Sequence, residues 1–208
     1  MSEDTVDNPF FARMWIAMSS RERPHMKRLR QENLAGLTGR VLEIGAGTGT
    51  NFEFYPDTVT EVVAVEPEVR LATLARQAAA TAPVPVAVRT ETAEHFEADD
   101  LFDAVVCSLV LCSVGDPESL LQQMHSRLKP GGELRYFEHV ASTGVRGRVQ
   151  SFFDATFWPR MSGNCHAHRH TEESIVGAGF EVTQARRLLM LPAWVPLAEA
   201  AIGRAVRA

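Results

Sequence analysis

Cysteine is scarce in this chain: Cys107, Cys112 and Cys165 are the only three in 208 residues. An odd number without an export signal excludes a disulfide framework and predicts a reducing, cytoplasmic setting. Cys107 and Cys112 lie in or beside an apolar run, where burial as small hydrophobes is the default. Long apolar runs are also lacking. None approaches the ~20 residues of a membrane span, so no integral membrane segment is expected. The opening MSEDTVDN is acidic and polar, unlike an export signal. Basic excess is missing as well: the net charge is −5, which argues against a nucleic-acid partner. The one basic cluster, Lys27-Arg28-Leu29-Arg30, reads as a solvated helix face. There is no internal repeat and no low-complexity linker. What remains is an ordinary globular composition, 45% hydrophobic and 23% charged, in a length that fills one domain.

Residues 1–8 are expected to be disordered. A helix is predicted from Asn8-Pro9, with Phe10, Met14, Ala17 and Met18 at three- and four-residue spacing and Phe11 and Trp15 beside them. A second runs from Pro24 to about Leu34. Strand and helix signals then alternate. Strands are predicted at 41–44, 61–65, 85–89, 102–109, 133–138 and 180–188, with a short seventh at 203–207. Helices are predicted at 71–80, 117–128 and 171–178. Pro117 opens its helix, Pro130-Gly131-Gly132 follows the end of it, and Thr171 reads as a cap. This alternation predicts an α/β fold: a Rossmann-like, seven-stranded, mostly parallel sheet with helices on both faces. One domain spans 1–208. Within it, residues 1–36 form N-terminal helices, either a lid or a plain amphipathic cover. Residues 141–171 form an insertion of the kind that carries a substrate pocket.

Val41 to Gly49, VLEIGAGTG, is the most informative stretch. An apolar strand runs straight into glycines at 45, 47 and 49, a turn that lets a ligand approach bare backbone. Glu43 stands two residues before the first glycine, and its charge repels phosphate. A ligand bearing an ammonium and a sulfonium, S-adenosylmethionine (SAM), suits it better. Three further features stand in the right order. Glu66, followed by Pro67, lies 21 positions after Gly45, where an acid reaches two ribose hydroxyls. Thr92, Ala93 and Glu94 would lie over adenine. Ser108 and Leu109, ending the fourth strand, would flank the methionine part. An NAD-type oxidoreductase shares strand, glycines and acid, but its pattern is G-x-G-x-x-G, not G-x-G-x-G. A non-catalytic SAM-binding protein is the remaining contrast.

On these residues the chain resembles class I SAM-dependent methyltransferases over nearly all its length. The resemblance rests on E-x-G-x-G-x-G at Glu43 to Gly49, on Glu66, and on Leu128-Lys129-Pro130-Gly131-Gly132. More specific words are GTGTNFEFYP (Gly47 to Pro56), VCSLVLCSV (Val106 to Val114), FEHV (Phe137 to Val140) and Gly163-Asn164-Cys165-His166 followed by Arg169. They are similar to the microsomal alkyl-thiol methyltransferases and to bacterial dithiol S-methyltransferases. The resemblance implies S-methylation of a small thiol or dithiol, with S-adenosyl-L-homocysteine as product and Asn51 as a further contact to the methionine end. The eukaryotic relatives carry an apolar membrane anchor. This chain offers only the amphipathic stretch Phe10 to Met18, so membrane attachment is not implied. Families methylating phospholipid head groups at nitrogen, or quinone-like molecules at carbon or oxygen, share the same cofactor half.

Methyl transfer from a sulfonium is an in-line displacement whose leaving group departs neutral, so alignment matters more than acid catalysis. A thiol of pKa ~8.5 is partly ionised at neutral pH and needs orientation more than a strong base. Glu138 and His139, ending the fifth strand, are the expected acceptor-side groups, with His139 as a base or as a pocket-shaping histidine. Asp154 and Trp158 are candidates for lining the acceptor pocket, helical packing being the alternative. Cys165 and His166 open the run Cys165-His166-Ala167-His168-Arg169-His170. That run reads as a pocket rim, a substrate contact or a metal site. No second Cys/His cluster accompanies it in sequence, so no metal is expected. Arg169 is expected to anchor the loop by charge-assisted bonds.

Overall fold

The computed structural model describes residues 5–98, 100–192 and 194–207. Two helices, α1 (Pro9–Ser19) and α2 (Pro24–Leu34), precede β1 (Gly39–Ile44). There follow β2 (Val59–Val65), α3 (Val69–Ala79), β3 (Val86–Arg89), β4 (Phe102–Ser108), α4 (Pro117–Arg127) and β5 (Leu128–His139). The connecting region holds α5 (Gly144–Asp154) and α6 (Trp158–Met161), and the chain ends with α7 (Thr171–Gly177), β6 (Phe180–Leu189) and β7 (Glu199–Arg207).

The strands form one sheet in the order β3-β2-β1-β4-β5-β7-β6. Pairs among β1 to β5 are parallel, and β7 runs antiparallel to both β5 and β6. Alternate residues of the central strands feed two cores. Leu42, Ile44, Val63, Val65, Val105 and Leu134 pack on one face. Val41, Val62, Ala64, Ala104 and Val106 pack on the other. Covered faces on both sides explain the near-continuous apolar runs in sequence. The strand order reverses between β1 and β4, whose neighbours lie on opposite sides. A crevice therefore opens beyond their carboxyl ends, the place where such sheets take ligands.

Several local expectations are corrected. Residues 1–4 lie outside the described residues, but Val6 is ordered: it forms a parallel bridge to Glu68, with its N–H on the Pro67 carbonyl at 3.0 Å. In α1 the inward residues are Phe11, Ala12 and Trp15, while Phe10 and Met18 are exposed. The stripe through 11, 12 and 15 has the same helical spacing and carries more aromatic surface. Thr171 is the first helical residue of α7, not its cap; His170 takes that position. The strand expected at 203–207 begins at Glu199, since it pairs along the whole upper half of β5 and along β6. Arg30 does not belong to a solvated face. It is 3% exposed, with its Nε on Glu22 Oε1 at 2.8 Å.

No helix among the described residues is long and apolar enough to cross a membrane.

Candidate active site

A cavity of about 570 Å³ fills the crevice, within the ~300–1,000 Å³ of small-molecule sites. Strand ends build its floor: Ile44 ending β1 and Gly45 after it, Val65 ending β2 and Glu66 after it, Ser108 ending β4 and Leu109 after it. Gly45 and Gly47 both have positive φ, +66° and +58°. A Cβ on Gly47 would stand 2.7 Å from Trp15 Nε1, so the loop passes under the α1 indole at a distance only glycine permits. Phe11, one turn earlier, lies equally close to Gly163 and stacks on Trp15 with ring centroids 6.1 Å apart. Helix α1 thus reaches from the glycine loop to the connecting region across the cavity.

Glu66 is 6% exposed, and its two oxygens accept the N–H groups of Gly47 (2.7 Å) and Glu68 (2.9 Å). Burial pushes its pKa up to about 7, against the pull of those two bonds. Pro67, Thr92, Ala93 and Glu94 join it on the wall. Glu43, Gly49 and Asn51 do not line the cavity. Glu43 lies behind the loop, 2% exposed, accepting from Asn51 Nδ2 (2.9 Å) and the Tyr55 hydroxyl (2.6 Å). Burial raises its pKa to about 7, with Tyr55, Asn51 and Arg30 opposing. Asn51 also donates to Ser108 Oγ (3.2 Å) and accepts from Arg30 Nη1 (3.0 Å). One buried network therefore joins α2, β1 and β4 under the glycines. Arg30 and Tyr55 are members that sequence reading missed, because nothing in their local pattern marks them as inward-facing. Gly49 turns away from the cavity, where a Cβ would meet Phe52 and Ala78.

The pair ending β5 is directed elsewhere than at the acceptor. Glu138 is fully buried, and its carboxylate accepts the N–H groups of Val110 (2.9 Å) and Cys112 (3.2 Å). It holds the segment after β4 in place. Burial raises its pKa, with the Val110, Leu111 and Cys112 N–H groups opposing. That segment opens with Leu109 at φ +63°, a left-handed conformation that costs a residue bearing a Cβ ~1–2 kcal/mol. Arg169 braces it too, donating to the carbonyls of Leu111 (2.6 Å) and Val114 (2.7 Å). Substituting Glu138 by alanine leaves the buried Cys112 N–H and the half-buried Val110 N–H without their acceptor, at ~1–3 kcal/mol for a buried group. A loss of at least ~2 kcal/mol in denaturant unfolding is expected. A loss below ~0.5 kcal/mol would mean that the segment holds itself.

His139 lies outside the cavity lining. Its Nδ1 is 3.6 Å from Cys112 Sγ and 3.5 Å from Cys165 Sγ, and the two sulfurs are 3.6 Å apart. The contact with Cys165 and then burial push the pKa of the Cys112 thiol well up. Cys165 and His166 are likewise not on the cavity wall. The His166 N–H donates to the Cys112 carbonyl at 2.7 Å. Asp154 ties down the loop instead, accepting from the Ala167 (2.9 Å) and His168 (2.7 Å) N–H groups. Trp158 packs outside the lining, and its neighbours Pro159 and Arg160 line it, together with Gly163 and Asn164. The connecting region does form one side of the cavity, through residues one to five positions from those expected.

The donor set fits SAM. Glycine backbone, a buried carboxylate and a polar segment after β3 line one half, and Trp15 Nε1, buried without a partner, faces the glycine loop. A doubly wound sheet with this cavity at its switch point defines the class: a Rossmann-like methyltransferase. The chain belongs to the methyltransferase domain family, which it matches over residues 18–184. It is similar to the thiol S-methyltransferase TMT1B of Mus musculus, 33% identical over 96% of this chain and 85% of that protein. The Homo sapiens TMT1B is 31% identical over the same shares. In fold it is similar to the N-methyltransferase NodS of Bradyrhizobium japonicum, solved with S-adenosyl-L-homocysteine (TM-score 0.64, 17% identity, 97% of this chain, 89% of that one).

Proposed function

We propose that this enzyme transfers the methyl group of SAM to the sulfur of a small, fairly apolar thiol or dithiol. Bound SAM supplies a methyl on a sulfonium, which leaves as neutral S-adenosyl-L-homocysteine once the acceptor sulfur displaces it in line. Gly45 and Gly47 admit the cofactor to bare backbone. Glu66 would accept the ribose hydroxyls. Thr92, Ala93 and Glu94 would hold the adenine, with Pro67 on the adjoining wall, and Ser108 and Leu109 would hold the methionine part. Glu43 and Asn51 act from behind the loop, fixing its shape and placing negative charge under the amino end.

The observation that carries the acceptor assignment is the chemistry of the far half of the cavity. Phe11, Trp15, Val110, Val114 and Pro159 line it, with Ser113 and Asn164 as neutral polar groups. Its titratable member is Arg160, a cation and not a base. An ammonium or phenol holds its proton more tightly at neutral pH than a thiol of pKa ~8.5, which has less need of a base there and whose pKa a neighbouring cation lowers further. Similarity to thiol S-methyltransferases over nearly the whole chain supports the same reading. Glu138 and His139 then act as positioning residues rather than as acid or base. The odd cysteine number fits a cytoplasmic setting.

Turnover of a panel of alkyl thiols, dithiols, amines and phenols tests the assignment. Thiols are expected to react, and more rapidly as pH rises towards their own pKa. Turnover of phenols or amines without thiols would overturn it.

A further inference from the structure

We propose that Cys112, His139 and Cys165 form a zinc site, with solvent as fourth ligand. The three donors come from separate parts of the chain: the segment after β4, the end of β5, and the connecting region. Their donor atoms lie within 4.8 Å of one another, and they form a nearly equilateral triangle: 3.6 Å between sulfurs, 3.6 and 3.5 Å from each sulfur to Nδ1.

That triangle has the dimensions of one face of a tetrahedral zinc centre. Zinc–sulfur bonds of ~2.3 Å and zinc–nitrogen bonds of ~2.0–2.1 Å at the tetrahedral angle place sulfurs about 3.8 Å apart and sulfur about 3.6 Å from nitrogen. The edges agree to ~0.2 Å, the tolerance expected of a real site. A metal at the centre of that tetrahedron, just off the plane of the three donors, needs only a small outward movement of the sulfurs. A disulfide, by contrast, needs the sulfurs to close from 3.6 Å to ~2.05 Å. Two thiolates and one imidazole are a donor set that selects zinc over hard cations. Loading is balanced by release of two protons, one from each thiol. The cysteines are 1% and 6% exposed, and His139 is half-buried. The metal would clamp together the two loops that carry Val110, Ser113, Gly163 and Asn164 on the acceptor side of the cavity.

The test is a metal titration of the full chain, reduced and stripped with a chelator. Cobalt(II) is the first probe. One equivalent per chain is expected to give the near-ultraviolet sulfur-to-cobalt band and the strong visible bands of tetrahedral cobalt. Zinc should displace it. Both features should vanish in Cys112→Ala and Cys165→Ala, and zinc should raise the Tm of the wild type but of neither variant. Alkylation mapped by mass spectrometry gives a second reading on the wild type alone, in case the variants do not fold. Zinc should protect Cys112 and Cys165 and leave Cys107 unchanged. Fully reduced protein that shows neither thiolate bands nor zinc-dependent protection would overturn the proposal, as would a Cys112–Cys165 disulfide in the protein purified without reductant. These readouts do not depend on methyl transfer, so the thiol assignment stands or falls separately.

Discussion

Gly47→Val is expected to weaken SAM binding at least ~100-fold, about 2.8 kcal/mol at ~1.4 kcal/mol per tenfold. Two effects combine at this position. The backbone sits at φ +58°, where a β-branched residue is a genuine outlier and a Cβ costs ~1–2 kcal/mol. The new side chain would also point at Trp15 Nε1, 2.7 Å from the ideal Cβ, and drive the indole into the space the cofactor needs. The Gly47 N–H that now reaches Glu66 would move with the loop. Strain lowers stability, whereas intrusion lowers affinity, so both thermal unfolding and calorimetric titration with SAM should change. Gly115→Ala is the control: nothing lies within 4 Å of its Cβ, and both readings should match wild type. A Kd for Gly47→Val within threefold of wild type would put the cofactor elsewhere in the fold.

Lowering the pH from about 8 to about 5 is expected to stabilise the cofactor-free protein near the loop. Burial pushes the Glu43 and Glu66 carboxyls from an ordinary 4.5 up to about 7. Between these values the folded state binds more protons than the unfolded one, so stability falls as pH rises. The contribution is complete below about 4.5 and lost through about 7. Each group can supply a slope of up to ~1.4 kcal/mol per pH unit, and because they repel one another the slope belongs to the pair. Glu43→Gln should remove roughly half of it. SAM brings an ammonium and a sulfonium, which favour the ionised carboxylates. Saturation should therefore flatten the profile, and affinity should tighten as pH rises through 7. Denaturant midpoints across this range, with and without SAM, make the check. A slope unchanged in the Glu43→Gln, Glu66→Gln double variant would remove both groups from the explanation.

The cofactor half was legible in the residues because it is written locally. Strand, glycines and acid follow one another in Val41 to Glu66, and Glu66 directly follows β2, which pairs with β1 up to Val65. Thr92, Ala93 and Glu94 follow β3 for the same reason, and all three reach the cavity. Glu43 shows the limit. Its type and spacing were readable, but its direction depends on Asn51 and Tyr55, which hold both oxygens behind the loop. The acceptor half was legible only as a region. Trp158, Cys165 and His166 miss the wall by one or two positions and Asp154 by five, since irregular loops have no period from which to read an inward face.

Order along the chain by itself determined a mostly parallel, doubly wound sheet and the glycine loop at its switch point. Hydrophobic runs, helix punctuation and glycine positions are properties of neighbours in sequence. Only the tertiary structure decided which way the β5 pair points, that Arg30 is buried, and that Cys112, His139 and Cys165 meet. These three residues stand 27 and 26 positions apart, so no local pattern encodes their contact. It exists because β5 lies beside β4, and because Asp154 and Arg169 fold the connecting region back over both.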